Sequence, residues 1–168
     1  DTLSLHDALP IFLNLSQWRG WRKFMARRIL VCGGRDFGDM SIPRDSPFWF
    51  KRKAEYQFIH KILSDLFPVV QEDESTWLSP SDVCIISGKA RGVDTAAIDW
   101  AVINWTAFEE YPADWKKYGK SAGYIRNKQM LEEGKPDLVI AFPGGRGTAM
   151  MVGLARNAGV EVIEVKYG

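Results

Sequence analysis

Short apolar runs alternate with longer amphipathic stretches along most of the chain, and this alternation predicts the fold. The apolar runs are rich in Ile, Val and Leu with few polar interruptions, which is typical of strands buried on both faces of a sheet. The predicted strands are residues 29–32, 83–86, 107–110, 138–142 and 160–165. The predicted helices are residues 51–67, 93–105, 121–131 and 148–158. We therefore expect an α/β, Rossmann-like three-layer fold with a mainly parallel sheet of about five strands.

The first part of the chain does not share this pattern. Residues 1–24 show no helical or strand period that continues into the next residues, whereas the pattern starts at Met25. Residues 4–11 also resemble translated sequencing-adapter read-through. A signal peptide is the competing interpretation, but the segment lacks the expected positive charge at its start and a cleavage site of small residues. Residues 1–24 are accordingly interpreted as an extension outside the domain, which is expected to comprise residues 25–168.

Two internal segments also lie outside the predicted helices and strands. Segments 37–50 and 69–82 are polar or rich in proline, and both are predicted to be surface loops. Loops of this length in a compact domain are usually lids, binding loops or insertions. The aromatic run Phe48, Trp49 and Phe50 is expected either to cover a ligand or to pack on the domain or a second subunit.

Composition narrows the class of protein. With 168 residues, 46% of them hydrophobic, the chain suits one domain with a proper core. The 22 basic and 21 acidic residues nearly cancel, which disfavours sequence-independent nucleic-acid binding and requires any cationic site to be local.

Cys32 and Cys84 lie in apolar runs, as expected for reduced core residues of a cytoplasmic protein. His6 and His60 have no companions at ligand spacing, so no metal site is expected, and no apolar run reaches the length of a membrane span.

The first of three glycine-rich loops comes directly after the first predicted strand. Gly33 and Gly34 would let backbone amides approach a ligand closely, and Arg35 would pair with a phosphate. Asp36, the next residue, is a further candidate site residue. A simple tight turn is the alternative for the glycine pair. Because the carboxyl ends of parallel strands meet at one edge of the sheet, we expect the three loops to meet there.

The second loop connects the second strand to a helix and contains Ser87, Gly88, Arg91, Gly92 and Asp94. An anion held by the free N–H groups at the start of the helix, together with Arg91, is the expected ligand. Two interpretations of Asp94 stay open. It either caps the helix or accepts a hydrogen bond from a ribose hydroxyl.

The third loop is the strongest local signal. It places Gly144, Gly145, Arg146, Gly147 and Thr148 between a strand and a helix, and the threonine is of a type that caps helices. Gly145 is expected either to adopt a positive φ or to contact the ligand. The spacing matches neither the phosphate-binding P-loop nor the dinucleotide-binding fingerprint.

A fourth segment lies after the third strand and interleaves cations with aromatic residues. Its candidate binding residues are Trp115, Lys120, Gly123, Arg126 and Asn127. Such a mixture can stack a base and hold its phosphate, and the alternative is a solvated loop and helix face. Arg126 and Asn127 are expected to face the same sheet edge as the three loops.

The motifs GGRDF, SGKARGVDTAA, PADWKKYGKSAGYIRNKQML and FPGGRGTAMMVGLARNAGV, in this order, resemble the YspA-like branch of the SLOG superfamily over residues 25–165. The resemblance implies a Rossmann-like fold that binds nucleotides or nucleotide-derived signals. It also implies relatives among the LOG phosphoribohydrolases, the DNA-processing protein A family and sensor domains of bacterial defence, and thus a phage or defence context.

The LOG enzymes are similar through the motif P-G-G-x-G-T-x-x-E, whose glutamate position is Met151 here. Glycosidic cleavage needs a carboxylate near the anomeric carbon, so this resemblance favours a binding module without enzymatic activity. The first alternative is a nucleoside-phosphate hydrolase or transferase that uses Asp36, Asp94 or Asp114 instead. The second alternative is a single-stranded-DNA binder. The expected partner is a small nucleotide-type ligand, no other cofactor is predicted, and a homo-oligomer is left open.

Overall fold

The computed structural model describes residues 26–68 and 82–168, which form an α/β domain of alternating strands and helices. The elements are β1 (Arg27–Cys32), α1 (Trp49–Leu66), β2 (Val83–Ser87), α2 (Val93–Ile103), β3 (Ala107–Glu110), α3 (Trp115–Tyr118), a 3₁₀ turn (Gly119–Ser121), α4 (Ala122–Glu132), β4 (Leu138–Ala141), α5 (Arg146–Asn157) and β5 (Glu161–Glu164). The predicted extension 1–24 and all of segment 69–82 except Asp82 lie outside the described residues.

The five strands form one sheet in the order β3-β2-β1-β4-β5, and every neighbouring pair is parallel. Ile29 in β1 pairs with Ile85 on one side and with Leu138 on the other. The chain therefore runs outward from β1 to β3 and then returns to the other side of β1. In such sheets a crevice opens between the carboxyl ends of the two strands where the direction reverses, here β1 and β4. The predicted Rossmann-like fold class is confirmed.

Alternate residues of β1 build two separate cores, one on each face of the sheet. Ile29 and Val31 pack with residues of α1 and α2, including the fully buried Leu63 and Trp100. Leu30 and Cys32 face the other way and pack with Met130, Met151, Val152 and Ala155 from α4 and α5. This alternation results from the two-residue period of a strand and produces the three layers. Cys32 and Cys84 are both buried.

The expectation that all strands are buried on both faces is wrong at the two edges. β2 and β4 are buried throughout, but β3 carries exposed residues at its first two positions and β5 is mainly half-buried. Edge strands have one neighbour, and each of these two is covered less completely by helices. Phe108 in β3 is 40% exposed for this reason.

The aromatic run near residue 48 begins a helix. α1 starts at Trp49, two residues before the predicted start, and the Trp49 ring packs edge-on against Phe50 and beneath Lys53. Phe48 and Phe50 are exposed, at 60% and 79%. None of the three aromatic side chains lines the cavity at the carboxyl ends of β1 and β4.

Among residues 26–68 and 82–168, none of the helices combines the length and the apolar character that a membrane crossing needs.

Candidate ligand site at the carboxyl edge of the sheet

A cavity of about 480 Å³ opens at the carboxyl ends of β1 and β4. This volume lies within the range of small-molecule sites, which is roughly 300–1,000 Å³. The loops after β1 and β4, the start of α2 and α5, and the region from α3 to α4 contribute its walls. The predicted site residues that line it are Gly33, Gly34, Arg35, Asp94, Trp115, Lys120, Gly123, Arg126, Asn127, Gly145, Gly147 and Thr148.

The loops after β1 and β4 are tied together by their backbones. The Gly34 N–H donates to the Pro143 carbonyl oxygen at 2.9 Å. A Cβ atom added at Gly144 would lie 2.8 Å from the Gly34 nitrogen and 2.1 Å from Thr148 Oγ1. Glycine at position 144 therefore lets the two loops touch beside the cavity.

The loop between β2 and α2 packs against the loop after β1 just as closely. Gly92 has a φ of 78°, and a Cβ atom added there would lie 2.4 Å from the Gly34 oxygen. A Cβ atom at Gly33 would lie 2.4 Å from a methyl carbon of Val93. These glycines serve close packing between loops, and Gly33 and Gly34 additionally present backbone to the cavity.

Gly145 and Gly147, unlike the glycines above, do not pack against a neighbouring loop. The φ of Gly145 is −99°, so the expectation of a positive φ there is wrong. A Cβ atom at either glycine would meet nothing within 4 Å, because both positions border the open cavity. The absence of these two side chains keeps the space in front of the first turn of α5 free.

The N-terminus of α5 is uncapped by side chains of the described residues. Gly145 is the N-cap residue, no side chain from this part of the chain accepts from the first turn, and the first turn contains no acidic residue. Thr148, predicted to cap, lies inside the helix instead. The first N–H groups of a helix have no partner within it and carry partial positive charge, so this end is suited to an anion.

Asp94 is the one carboxylate among the cavity-lining residues, and it is 6% exposed. Its Oδ2 accepts from the Ala90 N–H at 3.2 Å and lies 3.7 Å from Arg126 Nη1. Burial raises the pKa of Asp94 to about 6, against the opposing effects of Arg126, the backbone N–H of Ala90 and Arg35. The helix-cap interpretation holds only in part, since Asp94 is in the first turn of α2 but binds the loop ahead of it.

Arg126 and Asn127 connect α4 to two of the loops. The Arg126 guanidinium donates to the Gly88 carbonyl oxygen through Nη1 and to Asn127 Oδ1 through Nε at 3.0 Å. Asn127 Nδ2 donates to the Gly147 carbonyl oxygen at 3.3 Å. Desolvation lowers the pKa of Arg126. The two side chains thus hold the start of α5 and the β2–α2 loop in fixed positions around the cavity.

Arg35 and Trp115 form a cation–π pair across the mouth of the cavity. The Arg35 Cζ atom lies 5.1 Å from the centre of the Trp115 ring, and Trp115 is 48% exposed. Lys120, Gly123 and Tyr124 complete this side. The segment predicted to mix cations with aromatics therefore faces the glycine loops, as its position after β3 indicated.

The remaining predicted site residues do not line the cavity; these are Asp36, Ser87, Gly88, Arg91, Gly92, Asp114, Gly144 and Arg146. Arg91 pairs with Asp36 at 2.9 Å on the surface. The buried Ser87 hydroxyl donates to the Asp94 carbonyl oxygen at 3.0 Å. Asp114 caps α3 by accepting from the Lys117 N–H at 2.9 Å. Asp36 and Asp114, both proposed as acids, are therefore engaged away from the cavity.

The sequence prediction missed several cavity residues, namely Cys32, Ala90, Tyr124, Met130 and Met150, and it noted Met151 for a different reason. Cys32, Met130 and Met151 are buried residues of one packed cluster. Burial, with a contribution from Asp94, raises the pKa of the Cys32 thiol to about 12. An apolar residue that supports the core and also faces a cavity has no distinguishing sequence signal.

Within the described ranges, no three His, Cys, Asp or Glu residues are grouped closely enough to hold a metal ion.

The fold and the cavity define a Rossmann-like α/β protein with a ligand-sized site at the point where its strand order reverses. No family model matches the chain. The chain is similar to the Gene 61 protein of Mycobacterium phage D29, with 38% identity over 95 residues that cover 51% of this chain and 73% of the phage protein. The chain therefore belongs to the family of this phage protein.

Proposed function

We propose that this protein binds a nucleotide or nucleotide-derived ligand as a sensor or sequestering module, and that it is a YspA-like member of the SLOG superfamily. One observation carries the proposal: an uncapped helix N-terminus, cationic side chains and aromatic rings line a single cavity of about 480 Å³. A nucleotide combines an anion with a flat ring, and the cavity lining offers partners for both groups.

The anion is assigned to the start of α5. Gly145 and Gly147 leave room there for a phosphate, whose oxygens would accept from the free N–H groups of the first turn. The cavity lining contains three cations, Arg35, Lys120 and Arg126, against the single acid Asp94. This local positive excess favours an anionic ligand even though the whole chain is close to neutral.

The ring is assigned to the side formed by Trp115 and Tyr124. Both side chains line the cavity, and the two residues are 48% and 46% exposed, so part of each ring is open to a ligand although Arg35 covers one face of Trp115. Stacking of a base on an aromatic side chain contributes about 1–3 kcal/mol. Arg35 on the Trp115 ring adds a planar cation beside the same position.

Binding without turnover is the favoured activity. At the position where the resemblance places a glutamate, Met151 is 1% exposed and supplies no carboxylate. A hydrolase or transferase is the second candidate, and a specific observation supports it. The Asp94 carboxyl lines the cavity, and its pKa of about 6 lies near the pH at which a general acid or base operates.

The proposal is tested by calorimetric titration of the full chain with a panel of nucleoside monophosphates and cyclic nucleotides, and then by chromatography of the products. We expect saturable binding and no release of free base. Gly145→Val fills the space in front of α5 and should weaken binding at least tenfold. Gly153→Val is the matched control, because it makes the same change on the exposed face of the same helix, also in open space, outside the cavity.

Two outcomes would change the proposal. If no member of the panel binds, or if Gly145→Val and Gly153→Val bind equally well, the cavity is not a nucleotide site. If the wild-type protein releases base steadily and Asp94→Asn binds without releasing it, the protein is an enzyme and Asp94 is its acid or base.

A further inference from the structure

Asp94 is the acidic group of a cavity whose other charged side chains are cations. Arg35, Lys120 and Arg126 line the same cavity, so the net charge of the lining depends on whether the Asp94 carboxyl holds a proton. The three cations and the carboxylate together carry a net charge of +2, and protonation of the carboxylate raises that charge to +3. An anion in the cavity therefore meets a more positive surrounding when Asp94 is protonated.

The groups that face the Asp94 carboxyl come from several elements. Arg126 of α4 has its Nη1 atom 3.7 Å from Asp94 Oδ2, and Arg35 in the loop after β1 adds a second positive charge. The Ala90 N–H in the β2–α2 loop donates to Oδ2 at 3.2 Å. The Cys32 thiol at the end of β1 stays protonated, because its pKa is raised to about 12. Arginine keeps its charge throughout, so Asp94 is the group in this surrounding that changes charge near neutral pH.

The Asp94 carboxyl is poised between its two forms. Asp94 is 6% exposed, and burial raises its pKa to about 6 although Arg126 opposes that shift. An anion bound nearby would raise the pKa further, because it disfavours a second negative charge beside it. By linkage, an anion that favours protonation of Asp94 is itself bound more tightly when Asp94 is protonated.

We propose that anion binding in this cavity is proton-linked through Asp94, so that the site binds its ligand more tightly as the pH falls and releases it as the pH rises. The proton removes the negative charge that competes with the ligand for Arg126 and Arg35. This inference rests on the anion site of the proposed function and adds the regulation of that site.

The size of the effect follows from the size of the cavity. A compact cavity of about 480 Å³ spans roughly 10 Å, so a bound anion lies within about that distance of the carboxyl. Two unit charges roughly 10 Å apart, at an effective dielectric constant of about 20, change an affinity about fifteenfold. Because salt screens part of this interaction, we expect the affinity for an anion to fall by at least about fivefold from pH 5 to pH 8.

The test is calorimetric titration of the full chain with sulfate and with 3′,5′-cyclic AMP at several pH values from 5 to 8. Both probes keep a constant charge over this range, whereas a phosphate monoester itself loses a proton near pH 6. The wild-type protein should bind both probes more tightly at pH 5. Titration at pH 6 in two buffers of different ionisation enthalpy should show that a fraction of a proton is taken up on binding, and this measurement needs no variant.

Asp94→Asn keeps the size of the side chain and removes its ionisation. It should retain a high affinity for both probes across the pH range, with no proton uptake. Asp36→Asn is the matched control, because it makes the same change at a carboxylate that pairs with Arg91 outside the cavity. It should keep the pH dependence of the parent protein.

The outcomes separate this inference from the proposed function. Affinities that are equal at pH 5 and pH 8, or higher at pH 8, overturn the proton linkage, and nucleotide binding stands if cyclic AMP still binds. A pH dependence that persists in Asp94→Asn also overturns it, since another group then titrates. Sulfate binding with the expected pH dependence, without binding of any nucleotide, supports the linkage and overturns the proposed function. Binding of neither probe at any pH overturns the linkage, because the cavity then holds no anion.

Discussion

At the scale of single residues, the buried carboxyl of Asp94 opposes stability while placing a charge inside the cavity. It is 6% exposed, and burial has the largest effect on its pKa. Arg126 at 3.7 Å and the Ala90 N–H offset that effect only in part. Buried ionisable groups with such raised pKa values are concentrated at functional sites, which makes this side chain informative about both folding and binding.

Replacing Asp94 by Asn should stabilise the protein at neutral pH and not at acid pH. The carboxyl has a pKa of about 6 in the folded protein and 3.8 as its ordinary value, so the folded state holds the proton more tightly. The stability that the folded protein gains from the protonated Asp94 carboxyl is fully present below pH 3.8 and is lost as the pH rises through 6. The difference of about two pKa units corresponds to roughly 3 kcal/mol.

Urea unfolding of both proteins between pH 4 and pH 8 measures this effect. The stability of Asp94→Asn relative to the parent protein should rise by about 2–3 kcal/mol from the acid end to pH 7 and then stay constant. A relative stability that is independent of pH would show that Asp94 is not held in a site that disfavours its charge.

Only some of the cavity residues could be predicted from the sequence. The pattern singled out Asp94 and the glycines because they follow strands at the edge where parallel sheets bind ligands, and Arg126 because it was expected to face the same edge. It could not separate Asp94 from Asp36 and Asp114, since burial depends on which loops pack together. Met130 and Met151 are apolar residues at helical spacing, so their second role in lining the cavity has no sequence signal.

At the scale of elements, the site depends on three loops whose backbones touch. The loop after β1 accepts a hydrogen bond from the Val93 N–H to the Gly34 oxygen at 3.3 Å and donates one from the Gly34 N–H to Pro143. Gly92 and Gly144 remove the side chains that would separate the loops. The interlocked loops therefore position the start of both α2 and α5 at the cavity.

The same substitution should have opposite effects at two glycines. Gly92→Ala places a Cβ 2.4 Å from the Gly34 oxygen at a φ of 78°, so it should destabilise the protein by about 2 kcal/mol or more. Gly153→Ala lies in open space within α5 and should stabilise it by about 0.5–1 kcal/mol.

Thermal and urea unfolding of the two variants and the parent protein measures both changes in the free energy of unfolding. A Gly92→Ala protein as stable as the parent would mean that the loops after β1 and β2 are not packed as described. The ligand affinity of Gly153→Ala serves as the control for binding, since position 153 lies outside the cavity.

Elements with a clear period were predicted closely. All five strands and four of the helices lie within about two residues of their predicted bounds, because apolar runs and helical spacing are local properties. α3 was missed, since its four residues are too few to show a period and its cap, Asp114, was interpreted as a candidate acid. The aromatic start of α1 was missed because its first turn has neither an acidic residue nor a side-chain cap.

At the scale of the whole molecule, the order β3-β2-β1-β4-β5 decides where the cavity lies. The alternation of strands and helices predicted a parallel sheet, and it predicted that all strand ends share one edge. The strand order is a property of long-range packing and was not part of that prediction. It is the order that brings the loops after β1 and β4 together and leaves the crevice between them.

Under the proposed function, a nucleotide binds at this crevice through the first turn of α5. Backbone amide NMR of the full chain during titration with a nucleoside monophosphate measures this directly. We predict saturable shifts of the amide signals of Gly34, Gly145 and Gly147, with unchanged signals at Arg27 and Asp137 on the opposite edge of the sheet. Saturable binding that leaves the Gly145 and Gly147 signals unmoved, or no saturable shift at all, would contradict the account.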